Sequence, residues 1–480
     1  MDFVIQGRKP ASVFRFFEEI SAIPRPSYHE EKIADYLVAF AKERGLACYR
    51  DQSNNVLIKK PATKGKEWIL PILFQGHTDM VCEKNADVEH DFFKDPIKLF
   101  ADGKMLRAKG TTLGADNGIA VAVMLAILDG ELKAHPAVEC LFTTAEEVGL
   151  DGADNFDYSR ISARRLINLD SEALGRVTAG CAGGLCSDII LACKTKAFSG
   201  HAVRVTISGL MGGHSGENIN SGRANANKLM GRLLAALYKE QSFGLVTLSG
   251  GSKDNAIPRE CEAVLAVSDP DAALDCLTER AAEIANELSQ DDKSFRMVCE
   301  DAEDAAIVMD EESTLRAISL LSAVQNGVIS MSQQARGLVE FSRNLGVIRT
   351  EGDRITFVLS TRSSIESQLD ASVAELDLFA KLLGASIRHH SRYPGWSYAK
   401  SSAIRDAYLA AYREIMGGEA AVDVIHAGLE CGVISSKVPD MDMISIGPDM
   451  RDIHTPEERI EIDSIRRVYE TVCAMLAEKE

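Results

Sequence analysis

Five short stretches of the chain carry side chains suited to holding cations and moving protons. In Gln75-Gly76-His77-Thr78-Asp79, the histidine and aspartate are two residues apart, so on an extended segment they face the same way. A carboxylate that accepts one ring N–H of a histidine fixes its tautomer and leaves the other nitrogen free for a metal. Alone, the pair reads as a surface or core histidine with a hydrogen bond. Asp116 stands between Gly114 and Gly118, ahead of an apolar run, where it is either a helix cap or a bridging metal ligand. Glu146 and Glu147 are adjacent and precede Gly149 and Gly152. They serve one site only if the strand before them stops there, and two neighbouring carboxylates suit a division between metal binding and proton transfer. The alternative is an exposed acidic turn. Asp170 follows apolar Leu166 to Leu169, and His454 follows the run Met443 to Ile446.

Each of these residues stands at the carboxyl end of an expected strand or at the start of the next helix. That edge is where open α/β sheets place ligands. Two histidines and three carboxylates, with no cysteine, match Zn²⁺, Co²⁺ or Mn²⁺ in a catalytic rather than a structural site. One carboxylate bridging two ions about 4 Å apart is the arrangement of two-metal hydrolases.

The elements that must position them read as follows. A capping box, Ser27 with Glu30, opens the first helix, whose apolar face is Ile33, Leu37, Val38 and Phe40 and whose end is Gly45. Val56 to Ile58 and Trp68 to Phe74 are β-rich, and Asp102-Gly103 joins a tight hairpin. A buried helix runs from Asn117 to Leu128, and strands cover Val138 to Thr143 and Leu166 to Leu169. From about residue 186 an alternating strand (Val203 to Ile207), a helix (Asn225 to Leu237) and further strands and acidic helices follow. Tyr393-Pro394-Gly395-Trp396 reads as a hinge, after which the first texture resumes, ending in a helix capped by Asp463. The expectation is an α/β protein of two domains. A discontinuous catalytic domain with a mostly parallel mixed sheet covers 1–185 and 394–480, with an inserted α+β domain at 186–393.

Composition narrows the partners. The 480 residues carry 53 basic and 71 acidic side chains, a net charge of −18. That surplus repels nucleic acid and anionic membranes. Ile119 to Leu128 is about half a membrane span, and Met1 to Arg8 lacks a signal-peptide pattern. Eleven cysteines with no even framework read as reduced thiols, and the expected location is the cytoplasm.

Taken together, the motifs resemble the di-zinc exopeptidase family that includes aminoacylases, carboxypeptidase G and peptidase T, and within it the aminoacyl-histidine dipeptidase branch. The resemblance rests on Gly76-His77-Thr78-Asp79-Met80-Val81, Gly110 to Gly118, Asp170-Ser171-Glu172 and Gly212-Gly213-His214-Ser215-Gly216. Asn255 to Glu260, Tyr393 to Trp396 and His426 to Gly432 extend it over nearly the whole chain. Thr143-Thr144-Ala145 differs from the family's usual wording before the paired glutamates, which are kept. The resemblance implies a metallo-dipeptidase that hydrolyses dipeptides, Xaa-His (carnosine-like) among others, with two divalent ions, most simply Zn²⁺. It implies that Asp116 bridges both ions, that His77 and Asp170 complete one, and that Glu147 and His454 complete the other. Glu146 becomes the general base, Asp79 orients His77, and the Asp116–Asn117 peptide bond is cis. The inserted domain becomes a lid, with His214 donating to the oxyanion, Asn255 and Arg362 holding the substrate's main chain and carboxylate, and Gly428 offering a backbone donor. From residue type alone, His214 is a loop residue, Asn255 a turn former and Arg362 a surface ion pair. The remaining histidines read as structural or surface. A small peptide is the implied partner, and a homodimer the expected assembly. A tripeptidase, an N-acyl amino acid amidohydrolase and a non-catalytic metal-binding relative are the competing readings.

Overall fold

Ile119 to Leu128 is apolar on every side, and the helix containing it, Ala115–Leu128, is buried at every position except Asp116. A helix without a polar face must lie inside a core. Here it packs against helix Ala11–Ser21 and strand Ile72–His77. The computed structural model describes residues 4–130, 132, 134–303, 305–333 and 337–477; Met1, Asp2 and Phe3 of the amino-terminal stretch lie outside the described residues. The chain divides into two compact units: Met1–Cys181 with Trp396–Val424 and Leu429–Glu480, and Ala182–Gly395 with Ile425–Gly428.

The first unit is built on an eight-stranded sheet. Its order is Ala47–Arg50, Val56–Lys60, Val138–Thr143, Ile72–His77, Arg165–Asn168, Asp442–Ser445, Arg176–Cys181 and Ala421–Ile425. The four strands from Val138–Thr143 to Asp442–Ser445 pair parallel, so their carboxyl ends share one edge. The strands beside them pair antiparallel. This is a mixed sheet, as expected, with its parallel pairings confined to the centre rather than making up most of it. The hairpin also forms, with Asp102 opposite Met105 and Gly103 at φ +60°.

Four local expectations change. Helix Ala11–Ser21 precedes the one read as first and buries Val13, Phe14, Phe17 and Ile20. Helix Glu31–Glu43 starts without a side-chain cap, because the expected capping pair has other partners. Ser27 Oγ donates to Asp79 Oδ2 at 2.8 Å, and Glu30 Oε1 accepts from Ala145 N at 2.9 Å. A buried carboxylate and a loop amide outcompete a local cap. In the run from Trp68 to Phe74, the strand begins only at Ile72: Trp68 is exposed, and Pro71 has no N–H for a ladder. At the other end, helix Ile462–Leu476 begins before Asp463, whose carboxylate pairs with Arg466 and Arg467 rather than capping.

The second unit has a nine-stranded sheet in which every pairing is antiparallel. Helices Ala226–Glu240, Pro270–Glu287, Glu311–Ala323 and Glu366–Leu382 contribute apolar side chains to its core. Asn225 caps the first of them by accepting from Lys228 N. Among the described residues, no helix is long and apolar enough to cross a membrane. Among the described residues, no cysteine is paired in a disulfide.

Candidate functional site

His77 ends strand Ile72–His77 and is buried. Its Nδ1 lies 3.3 Å from Asp79 Oδ1 and 3.2 Å from the Asp79 carbonyl. That leaves Nε2 facing Asp116 Oδ1 at 3.2 Å and Asp170 Oδ1 at 3.6 Å. Asp79 is a hub as well as a partner for the histidine. Its Oδ1 accepts from Glu146 N at 3.1 Å, and its Oδ2 from Ser27 Oγ and, at 3.3 Å, from Glu147 N. One buried carboxylate thus ties the His77 strand end to the glutamate loop.

Strand Val138–Thr143 stops before the two glutamates, and Ala145 turns the chain with φ +50°. Both glutamates can therefore face the same centre. Glu146 Oε2 is 4.0 Å from His77 Nε2, and Glu147 Oε1 is 3.1 Å from His454 Nε2. His454 also lies 3.0 Å from Asp116 Oδ2. The two oxygens of Asp116 thus face two different histidines. The Asp116–Asn117 peptide bond is cis. Asn117 Nδ2 donates to Asp170 Oδ1 at 2.5 Å and to Leu169 O at 3.0 Å, holding Asp170 at its strand end.

Three sets of donor atoms fall within 4.8 Å of one another: His77, Asp116 and Asp170; Asp116, Glu147 and His454; His77, Glu146 and Glu147. Asp116 belongs to the first two. The seven residues expected at the centre are all brought together, from five separate stretches of chain.

Their electrostatics fit bound cations. Burial, reinforced by Glu147, Glu430 and Asp116, pushes the Glu146 carboxyl well above its usual range despite His77. Burial does the same to Asp170, with Asp116 and Glu146 adding to it. Burial opposes charge on His454, yet Asp116 and Glu147 push its pKa up to about 11. Such a cluster carries more negative charge than its imidazoles offset, and imidazole nitrogens with carboxylate oxygens are a Zn²⁺- or Mn²⁺-type donor set.

The four other expected residues belong to the second unit. His214 sits in a two-residue strand paired with Ala256–Ile257, and the Asn255 carbonyl accepts from Ser215 N at 2.8 Å, so these two lie side by side. Asn255 itself is exposed. Arg362 is 8% exposed and donates from Nη1 to Tyr393 Oη at 2.8 Å; it is not the surface ion pair that residue type suggested. A Cβ on Gly428 would lie 2.9 Å from the Tyr393 ring, which gives that glycine a packing reason in addition to any backbone role.

Several neighbours were given no role in the sequence reading. His426 Nε2 lies 2.7 Å from Ser342 Oγ, and burial together with Arg362 pushes its pKa down to about 3, so it is neutral. Burial and Arg362 also lower His214. In the first unit, Glu430 is completely buried. It accepts from Gln75 Nε2 and from Thr143 Oγ1 at 2.8 Å, and burial pushes its carboxyl up to about 7. Tyr393, His426 and Glu430 all lie in stretches already quoted for the resemblance; what was missing was a partner to give each a role.

Parallel strand ends converging on a carboxylate-rich centre define a metal-dependent hydrolase site of the α/β class. Residues 73–478 match the Peptidase family M20/M25/M40, and the chain belongs to that family. It is 40% identical over 475 residues to the cytosol non-specific dipeptidase of Escherichia coli (strain K12), covering 98% of each chain. It superposes on the aminoacylhistidine dipeptidase of Vibrio alginolyticus with a TM-score of 0.91, 39% identity and 98% coverage of both chains. An aminopeptidase PepT from Bacillus cereus shares the fold, with a TM-score of 0.56, 16% identity and 97% coverage of each.

Proposed function

We propose that the protein is a metallo-dipeptidase whose substrates are dipeptides, Xaa-His (carnosine-like) among them. The observation that carries this reading is Asp116, whose two oxygens face His77 and His454 separately, at 3.2 and 3.0 Å. Asp116 would be shared between two divalent cations, Zn²⁺ in the simplest case and Co²⁺ or Mn²⁺ otherwise. His77 and Asp170 would hold one, and Glu147 and His454 the other. Bound there, such ions make water more acidic and polarise a carbonyl oxygen. Glu146, beside them at 4.0 Å from His77 Nε2, accepts the proton of the attacking water and returns it to the leaving amine. Asp79 keeps His77 in the tautomer with Nε2 free.

The catalytic domain is residues 1–185 and 394–480, and residues 186–393 are the lid that binds substrate. In it Arg362 forks onto the peptide's free carboxylate, Asn255 and the Gly428 backbone hold the main chain, and His214 donates to the developing oxyanion. A carboxylate clamp favours short peptides, because a longer chain has no place for its next residue. The names of the Escherichia coli and Vibrio relatives support the dipeptide preference, and the former supports a cytosolic location. We further infer a homodimer, which analytical ultracentrifugation checks.

The test is hydrolysis by metal-stripped protein, before and after adding back Zn²⁺, Mn²⁺ or Co²⁺. The panel holds Xaa-His and other dipeptides, tripeptides and N-acetyl amino acids. Metal-restored cleavage of the dipeptides is expected. Turnover confined to tripeptides or N-acetyl amino acids would move the assignment to those classes, and no turnover with metals bound would make the protein a binding relative.

A further inference from the structure

Leu113, Gly114, Ala115 and Asp116 direct four successive backbone N–H groups at one carboxylate, that of Glu458. The distances are 2.7 and 3.0 Å to Oε2 and 2.8 and 3.3 Å to Oε1. Glu458 is 2% exposed and lies four residues after His454. On the opposite side of the same loop is Arg25, also 2% exposed. Its Nη1 donates to the carbonyls of Thr78 (2.8 Å) and Asp79 (3.0 Å), and its Nη2 to that of Gly114 (2.5 Å). Gly114 adopts φ +68°, and a Cβ there would sit 2.6 Å from Arg25 Nη2, so the loop accepts this clamp only as glycine. Neither side chain is within the metal-binding sets, and an ordinary helix cap satisfies one or two amides, not four.

We propose that Glu458 and Arg25 are positioning residues for the metal centre. Glu458 fixes the 113–116 backbone so that both Asp116 oxygens face their histidines, and Arg25 locks that loop to the Thr78–Asp79 segment behind His77. Because His454 and Glu458 share one short segment, the arrangement also couples the loop bearing Asp116 to the segment bearing His454. This inference rests on reading Asp116 as the bridging ligand.

The experiment compares wild type, Glu458→Gln and Arg25→Lys by cation titration against a competing chelator and by hydrogen exchange of residues 110–118. Glu458→Gln keeps the shape but turns an amide N–H towards backbone donors. It is expected to weaken Zn²⁺ binding by about 10–100-fold and to speed exchange at 113–116, with kcat falling and KM little changed. Arg25→Lys is expected to shift both readouts the same way. Wild type needs no variant to be informative: its 113–116 amides should exchange slowly even without metal. Amides that become protected only when Zn²⁺ is added, or a Glu458→Gln protein with wild-type Zn²⁺ affinity, would overturn the inference. Wild type that binds no divalent cation would instead sink the metal reading itself.

Discussion

In the first unit Asp116, Glu146, Glu147 and Asp170 crowd around two imidazoles; in the second, Arg362 lies within electrostatic reach of His214 and His426. The proton affinities move in opposite directions. Burial and neighbouring carboxylates raise Glu146 and Asp170, whereas burial and a guanidinium lower the two histidines of the second unit. One cluster holds surplus negative charge, whereas the other sets the Arg362 guanidinium beside two histidines whose charged forms are disfavoured. A low-dielectric site with uncompensated charge is complementary to a ligand of the opposite sign. The first therefore suits cations, and the second offers the Arg362 guanidinium, the group that the proposed function sets against the peptide's carboxylate.

Substitutions on each side sharpen that contrast. The largest effect is expected for Glu146→Gln: kcat should fall roughly 10²–10⁴-fold while cation stoichiometry, measured by elemental analysis, stays at the wild-type value. Wild-type turnover in that variant would end its assignment as the base. Next comes Arg362→Met, which should lower kcat/KM for dipeptides on the order of 100-fold and leave cation content untouched. Steady-state kinetics with a free and an amidated carboxyl terminus provides the check, since the amidated peptide should barely notice the change. Equal losses on both peptides would mean that Arg362 acts on the fold and not on the carboxylate.

The smallest effect concerns stability. Burial raises the Glu430 carboxyl to about 7, so the folded state holds its proton more tightly than the unfolded state does. The stabilisation is complete below the unfolded pKa and is lost as pH rises through the folded one. Metal-free wild type should therefore lose roughly 2 kcal/mol relative to Glu430→Gln between pH 5 and pH 8. Urea unfolding of both proteins at the two pH values reads this directly, and parallel stability curves would refute it.

The readability of the molecule varied in a physically sensible way. Parallel strands and the buried helix announce themselves because burial on all sides demands largely apolar runs, as at Cys140, Leu141 and Phe142 and from Ile119 to Leu128. The residues at the strand ends are visible because a carboxylate or histidine directly after such a run is out of place unless it has work to do. Local capping was the weaker guide. Ser27 and Glu30 spell a capping box, yet in the fold both turn to partners more than 50 residues away. Glu458 and Arg25 escaped notice for the same reason, and Glu430 was quoted without a role. A glutamate in Thr455-Pro456-Glu457-Glu458 or an arginine in Ile23-Pro24-Arg25-Pro26 looks like any surface charge until the chain encloses it.

Residue type and order pointed to the side chains that meet at the first unit's centre, because each candidate follows or opens an element whose periodicity is local. Folding alone settled what surrounds them: Asp79 binding two loop amides, Glu458 gathering four, Arg362 bonding to Tyr393 and His426 kept neutral. Those properties depend on burial and on distances between segments up to several hundred residues apart, and no stretch of sequence carries either quantity.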